Sequence, residues 1–524
     1  MDKRPRTLNF KASFSDRRLI FVLSVAAAVF CGCRVGPHYS VPSALPQAPP
    51  AEYKETTTPP VDAGQWKPAQ PQDAMLRGKW WEIYNDSELN DLEDKVNIDN
   101  QNIKQYFENY MEARTLIAQA RAQLFPTLSV APGFQRSRSS SNLEHGAVTT
   151  TGATGATSGA GSQSTVWSLP LDASWQPDLF GKIRNQIREA QYSAQVSAAD
   201  LENERLSEQA SLATYLFEVR GQDALIDLYK RTVAADQQSL DLTRSLYNTG
   251  IDNEVSVVEA ENTLENAQAS QTNLAVARAQ YEHAIAVLIG TNPSTFSIPA
   301  KPLDANPPPI PLGMPSQLLE RRPDIAAAER QMAAANAQIG VATAAYFPSL
   351  NLTGSGGTES SLISQLFDWP SRFWSVGATL PETIFDAGLR RATVNQYVAT
   401  YNADVASYRQ TVLTAVQQVE DSIASLRILS NQMEQQHTAE QSAQKFVDLE
   451  TARYKNGIDP YIDVVQAQTT LLSDQSTEAT LRTEQMTASV QLIQALGGGW
   501  DRSDLPTPAQ VSSKLSKTDT TIQK

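Results

Sequence analysis

The sequence predicts a mainly α fold with a smaller share of membrane β-structure, written twice along the chain. Three observations predict it. Short motifs recur at similar offsets. Two segments of 68 residues are almost free of helix breakers. Between the helical segments, apolar and polar residues alternate strictly.

The repeat sets the frame. Gln123-Leu124-Phe125-Pro126-Thr127-Leu128 returns as Ala345-Tyr346-Phe347-Pro348-Ser349-Leu350, 222 residues later. Tyr247-Asn248-Thr249-Gly250-Ile251-Asp252 returns as Tyr454-Lys455-Asn456-Gly457-Ile458-Asp459, 207 residues later. The drop in offset places a longer loop in the first half. The halves close alike, on Leu288-Ile289-Gly290 and Ala495-Leu496-Gly497.

Between Gly181 and Gly250 lie one Gly and no Pro; between Gly388 and Gly457 lies neither. Both segments are rich in Ala, Gln, Glu, Leu and Arg, which favour helix. A continuous helix of that length runs roughly 100 Å, far beyond the mean helix of a compact domain. A Gly turn then reverses each into a second helix, over 252–289 and 461–496. Shorter helical stretches, 86–124 and 315–346, precede the Phe-Pro motifs. Long helices of modest hydrophobicity need neighbours to cover their apolar stripes.

Residues 166–176 alternate Trp167, Leu169, Leu171, Ala173 and Trp175 with Ser168, Asp172, Ser174 and Gln176. The two Trp span about 26 Å of strand. Aromatic residues at both ends of an apolar row form the girdle of a transmembrane β-barrel, whose polar face lines the lumen. Residues 126–136 alternate likewise. The second half offers 348–354 and 373–381, with Trp374, Val376, Ala378 and Leu380 on one face. Trp167, Trp175 and Trp374 are the girdle candidates; Asp172 either tunes the lumen or simply faces water. Four strands cannot close a barrel, since the smallest have eight, and open edges leave backbone groups unsatisfied in lipid. The barrel must therefore be shared. Three copies supply twelve strands, and the long helices form a matching α-barrel.

Residues 1–18 are basic and 19–32 apolar, the pattern of an export signal. The run ends in Phe30-Cys31-Gly32-Cys33. A small residue before Cys resembles a bacterial lipobox, which makes Cys33 the candidate lipidation site, carrying diacylglycerol and palmitate. The alternative is an uncleaved signal anchor. No thiol follows Cys33, which suits an oxidising periplasm. Loss of the signal sharpens the net charge from −14 to −18, against nucleic acid as a partner. No later run reaches the roughly 18 apolar residues of a transmembrane helix. Two cysteines exclude a disulfide framework. His38, His145, His283 and His437 lack the spacing of a zinc hydrolase. No enzymatic activity, catalytic residue, resident metal or cofactor is expected beyond the covalent lipid.

Together these residues resemble the outer-membrane efflux channels of the TolC/OprM type, in their NodT-like lipoprotein branch. The resemblance rests on Cys33-Arg34-Val35-Gly36-Pro37-His38-Tyr39, on Trp80-Trp81 with Asp86, Leu89 and Leu92, and on Trp175 through Asp178-Leu179-Phe180-Gly181. Its most specific run is Leu318-Leu319-Glu320-Arg321-Arg322-Pro323-Asp324-Ile325, followed by Ala328-Glu329, Ala335-Asn336, Ile339-Gly340 and Phe347-Pro348. These span about 33–500, and the sequence departs from the pattern at Phe30 and at Gln176-Pro177.

The resemblance implies a homotrimer with a barrel in the outer membrane and an α-barrel in the periplasm. It implies docking on a periplasmic adaptor (a membrane fusion protein) and an inner-membrane RND-type transporter. Drugs and other toxic small molecules would pass through passively, which implies a part in antibiotic resistance. It further implies that the hairpin turns at Gly250 and Gly457 touch the adaptor and constrict an entrance that docking opens. Tyr454, Gly457 and Asp459 match the family's turn motif. Tyr454 and Asp459 are thus the gate candidates, with Asp252 their counterpart in the first half. Threefold symmetry would gather three Asp459 carboxylates into an acidic ring like those of cation-selective pores. Asp459 reads equally as the N-cap of the next helix, with Pro460 at its first position, and Asp252 invites the same reading. Gly250 and Gly457 serve the turns by permitting positive φ. Arg321-Arg322 reads as an anion site or as exposed charge ahead of a helix begun at Asp324.

The expected organisation is a signal peptide over 1–32 and a lipidated N-terminus with extended linker over 33–85. A first repeat follows over 86–290, with its hairpin at 182–289. A linker over 291–314 leads to a second repeat over 315–497, with its hairpin at 389–496, and a polar tail over 498–524. Residues 137–165 and 355–372 are loops. Two rivals share parts of the pattern: a type I secretion-like exit duct for proteins, and a periplasmic coiled-coil spacer, which would lack the Trp-bounded strands.

Overall fold

The computed structural model describes residues 34–44, 53–57, 78–138, 140, 163–312 and 317–513. The expected signal peptide, Cys33, most of the Ser/Thr/Gly-rich loop and the end of the tail lie outside the described residues. Apart from single turns, the chain runs through α1 (Ser87–Asp99), α2 (Gln101–Ala122), β1 (Thr127–Val130), β2 (Gly133–Arg138) and β3 (Gln163–Trp175). It continues through α3 (Lys182–Asn248), α4 (Glu254–Leu288), α5 (Pro323–Ala344), β4 (Asn351–Ser360), β5 (Arg372–Thr379), α6 (Leu389–Lys455) and α7 (Tyr461–Ala495). It is mostly helical, with one small sheet. No described helix is long and apolar enough to cross a membrane.

Helices α3 and α6 are unbroken over 67 residues each. Each begins with an aspartate that accepts the orphan N–H groups of the first turn. Asp178 takes those of Ile183 and Arg184 at 3.1 and 3.0 Å, and Asp386 those of Gly388 and Arg390 at 2.9 and 3.2 Å. The one Gly inside α3, Gly221, is a packing residue. A Cβ there would collide with Thr483 of α7.

The chain divides into two compact units. One gathers the described residues of 1–40, 115–191 and 333–402 and holds the sheet. It is antiparallel, ordered β1–β3–β4–β5, with β2 also pairing β3. Segments β1 and β2 lie end to end on the same edge of β3, opposite 171–174 and 163–168. The expected strand 126–136 is thus interrupted at Ala131-Pro132, because proline has no N–H for the ladder. The expected strand 348–354 is displaced to Asn351–Ser360. Its Gly-rich sequence reads as loop, yet the ladder requires glycine there. A Cβ on Gly357 would strike the Leu169 carbonyl. Pairing likewise extends into the expected loop 137–165, as far as Arg138 opposite Gln163.

The other unit gathers the described residues of 41–114, 192–332 and 403–524. Its core packs Trp80, Trp81, Leu89 and Val96 against Leu212, Leu216 and Phe217 of α3, Ile285 of α4 and Val490 and Ile493 of α7. Trp80 donates to Gln209 at 3.2 Å. Asp86 caps α1 through Glu88 and Leu89 N–H and pairs with Arg220. The expectation of exposed charge at Arg321-Arg322 fails at Arg322, which is only 8% exposed. Its guanidinium donates to the Ala495 carbonyl at the end of α7, at 2.8 Å, and pairs with Asp324 at 2.7 Å. It therefore satisfies a helix C-terminus rather than meeting solvent or an anion.

Candidate functional site

Both hairpins reverse through the same backbone device. At the end of α3, Gly250 N–H bonds to the Tyr247 carbonyl at 2.9 Å and Ile251 N–H to Leu246 at 3.0 Å. At the end of α6, Gly457 bonds to Tyr454 at 2.9 Å and Ile458 to Arg453 at 3.0 Å. This is the Schellman pattern, which requires a left-handed residue after the helix. Gly250 and Gly457 supply it at φ 76° and 69°. Nothing lies within 4 Å of where their Cβ atoms would stand, so backbone conformation alone selects glycine.

Just behind the turns the two hairpins meet. Leu240 of α3, Ala260 and Leu264 of α4, Tyr454 of α6 and Tyr461 and Val464 of α7 form a buried cluster. Tyr454 is 6% exposed, and its ring lies 5.2 Å from that of Tyr461. Its hydroxyl donates to Asp252 Oδ2 at 2.6 Å and lies 3.3 Å from Thr243 Oγ1. Asp252 also accepts from Asn253 N–H at 2.7 Å and Ser256 Oγ at 2.8 Å. One phenol thus latches the second hairpin to the turn of the first. Burial raises the Asp252 carboxyl, but the bonds from Tyr454, Asn253 and Ser256 outweigh it and hold it below its ordinary value. Burial, then the adjacent Asp252, pushes the Tyr454 phenol up.

Asp459 does not join the latch. It pairs with Arg453 of its own hairpin, and that guanidinium holds its carboxyl below the ordinary range. Glu450 and Asp463 stand close by. Its expected capping role is not observed either. The N-cap of α7 is Pro460, without a side-chain bond, while α4 is capped by Asn253 rather than Asp252. A ring of three Asp459 would therefore be a ring of ion pairs. Sequence reasoning missed Arg453, although its place six residues before Asp459 was visible. It also missed Asp236, which is 4% exposed with Oδ2 lacking a partner among the described residues, and which burial pushes up to about 6. Asp236 lies near enough to Tyr461 to help burial raise that phenol to about 12.

The sheet separates its two faces by chemistry. Register places Leu128, Val130 and Phe134 beside Ala173, Leu171 and Trp167. Val376 and Trp374 fall on the same face, across Gly354 and Gly356. Leu128 is 69% exposed, and Trp374 and Val376 are each 81% exposed. The opposite face carries Thr127, Ser129, Ser168, Asp172, Ser174, Thr353 and Ser355. Trp167 packs on Phe134 at 4.4 Å, and Trp175 Nε1 donates to the Leu124 carbonyl at 2.9 Å. The register does not put Trp374 at an end of the apolar row. It falls level with Leu171, midway between Trp167 and Trp175. Trp369, 76% exposed and stacked on Arg372 at 4.1 Å, stands at the end of β5 instead. The outer edges of β1–β2 and β5 pair with no other described strand.

The chain beside Cys33 is anchored at the foot of this sheet. Val35 N–H bonds to the Phe180 carbonyl at 3.2 Å, and Asn185 donates to the Val35 carbonyl at 3.0 Å. A Cβ on Gly36, which sits at φ 118°, would strike the Gly340 backbone, and a Cβ on Gly340 would meet the Asn185 side chain.

Comparison with known proteins gives the family. The family model "Outer membrane efflux protein" matches residues 94–291 and 314–498. The chain is 31% identical over 493 residues to the toluene efflux pump outer membrane protein TtgF of Pseudomonas putida, covering 93% of this chain and 99% of that one. It is 30% identical over 501 residues to the outer membrane protein OprJ of Pseudomonas aeruginosa, covering 94% and 97%. The solved outer-membrane channel OprN superposes with a TM-score of 0.76 at 27% identity, over 89% of this chain and all of that one. The chain belongs to the outer membrane efflux protein family.

Proposed function

We propose that this chain is the exit duct of a tripartite efflux pump. Three copies close one barrel of twelve strands, and small toxic molecules pass through it passively. A periplasmic adaptor and an inner-membrane transporter deliver them. The observation that carries this reading is an exposed apolar sheet face bounded by two edges that pair with no other described strand. Lipid covers the face, and neighbouring copies satisfy the edges, as a head-to-tail interface that closes on itself. A coiled-coil spacer has no use for such a face. Relatives named for toluene and antibiotic efflux favour small molecules over protein cargo.

The anchoring of Val35 and Gly36 at the foot of the sheet supports lipidation at Cys33, because an acyl chain there enters the leaflet the sheet spans. The latch between Tyr454 and Asp252 supports a closed resting entrance, which docking opens by separating the hairpins. Outer-membrane protein purified and placed in a planar bilayer should give discrete ohmic conductance steps without nucleotide or proton gradient. Recovery in the soluble periplasmic fraction, or silence in the bilayer, would contradict the reading.

A further inference from the structure

Along the second hairpin, away from the turn, three metal-ligating side chains converge. His437 and Glu440 lie one helical turn apart on α6, and Glu478 meets them from α7. One ligand atom of each lies within 4.8 Å of the others. His437 Nδ1 and Glu478 Oε2 stand 3.3 Å apart. Two atoms bound tetrahedrally to one Zn²⁺ stand about 3.4 Å apart, so this pair needs little movement and Glu440 a change of rotamer.

Each of the three also has an outer partner. The Gln441 amide lies 2.9 Å from His437 Nε2, the second ring nitrogen. Gln475 donates to Glu440 Oε1 at 3.0 Å, and Arg482 to Glu478 Oε1 at 3.3 Å. Such outer partners fix the orientation of metal ligands. The first hairpin, 207 residues earlier, carries Lys230, Val233 and Gln271 at the matching positions. The set is therefore not a by-product of the repeat.

We propose that His437, Glu440 and Glu478 bind one first-row divalent cation of the Zn²⁺ class. One imidazole and two carboxylates suit such an ion, and water completes the shell. The imidazole binds through Nδ1. Its Nε2–H then donates to the Gln441 carbonyl oxygen, with that amide turned end for end. The cation enters from solvent, since the His437 side chain is 57% exposed. Once bound, it ties α6 to α7 on the hairpin that carries the latch.

The test uses full-length protein without a polyhistidine tag, stripped with chelator. Zn²⁺ is titrated calorimetrically and Co²⁺ by visible absorption. The proposal expects one saturable Zn²⁺ per chain. His437→Ala and Glu478→Gln should each weaken it by about tenfold or more and abolish the Co²⁺ band. Asp459→Asn, in the separate acidic group with Glu450 and Asp463, should change neither. Circular dichroism of each variant checks that the helices persist. No saturable binding by the unaltered chain would overturn the proposal. So would binding that survives both variants, or binding lost on Asp459→Asn.

Discussion

The Tyr454 hydroxyl joins the second hairpin to the turn of the first. Tyr454→Phe removes that group and keeps the ring against Tyr461. A hydrogen bond to a charged acceptor contributes about 1.5–3 kcal/mol when buried, and less here because Asp252 keeps its bonds to Asn253 and Ser256. The expected outcome is higher resting conductance in a planar bilayer. Asp252→Asn should act in the same direction, and the double variant should be less than additive. Asp459→Ala should do less than Tyr454→Phe, because its partner lies on its own hairpin. A larger effect from Asp459→Ala would return the gate to that residue. The resemblance to the family's turn motif pointed to Tyr454 and Asp459, and the repeat to Asp252 as their counterpart. The sequence could not pair them, because the latch joins residues 202 positions apart, and turn chemistry is local while the latch depends on how hairpins pack.

At the scale of an element, α3 carries two tests. Ala is normally a better helix residue than Gly by about 1 kcal/mol. Gly221→Ala should nonetheless destabilise, because its Cβ would meet Thr483, and overpacking costs about 1–3 kcal/mol. Thermal melting reads the sign, and a raised midpoint would refute the packing account. Asp236 is the second test. A free aspartate titrates near 3.9, whereas burial pushes this one up to about 6. The folded chain therefore holds a proton that the unfolded chain has released. That stabilising contribution is complete below the free value and is lost as pH rises through about 6. Asp236→Asn should stabilise the protein by on the order of 1 kcal/mol at pH 8 and change little at pH 4. Melting at both pH values checks it. Asp252 has the opposite sign: its carboxyl is held low, so its contribution persists at neutral pH and is lost on strong acidification. The long helices were legible from missing Gly and Pro. Strand β4 was legible only over 351–354; its continuation to Ser360 was not, because its glycines respond to neighbouring strands rather than to local propensity.

For the whole molecule, no described helix is long and apolar enough to cross a membrane, which says nothing of strands. The sheet places its apolar residues at every second position, so no window within its strands becomes uniformly apolar. Composition reads such a chain as polar, and period two reads it as one wall of a barrel. What alternation could not reveal was the order of the strands or the interruption at Pro132, both of which depend on pairing between the halves. The edges left by that order carry the central claim. Within one copy, β1 and β5 are separated by β3 and β4, about 14 Å at the usual strand spacing, beyond the reach of a disulfide. Cysteine at Ser129 combined with cysteines scanned along Arg372–Thr379 therefore reports only contacts between copies. In isolated outer membranes, oxidation should yield a covalent species that stops at the trimer for one register of the scan. Monomers at every register, or a ladder extending beyond three, would contradict a barrel completed by three chains.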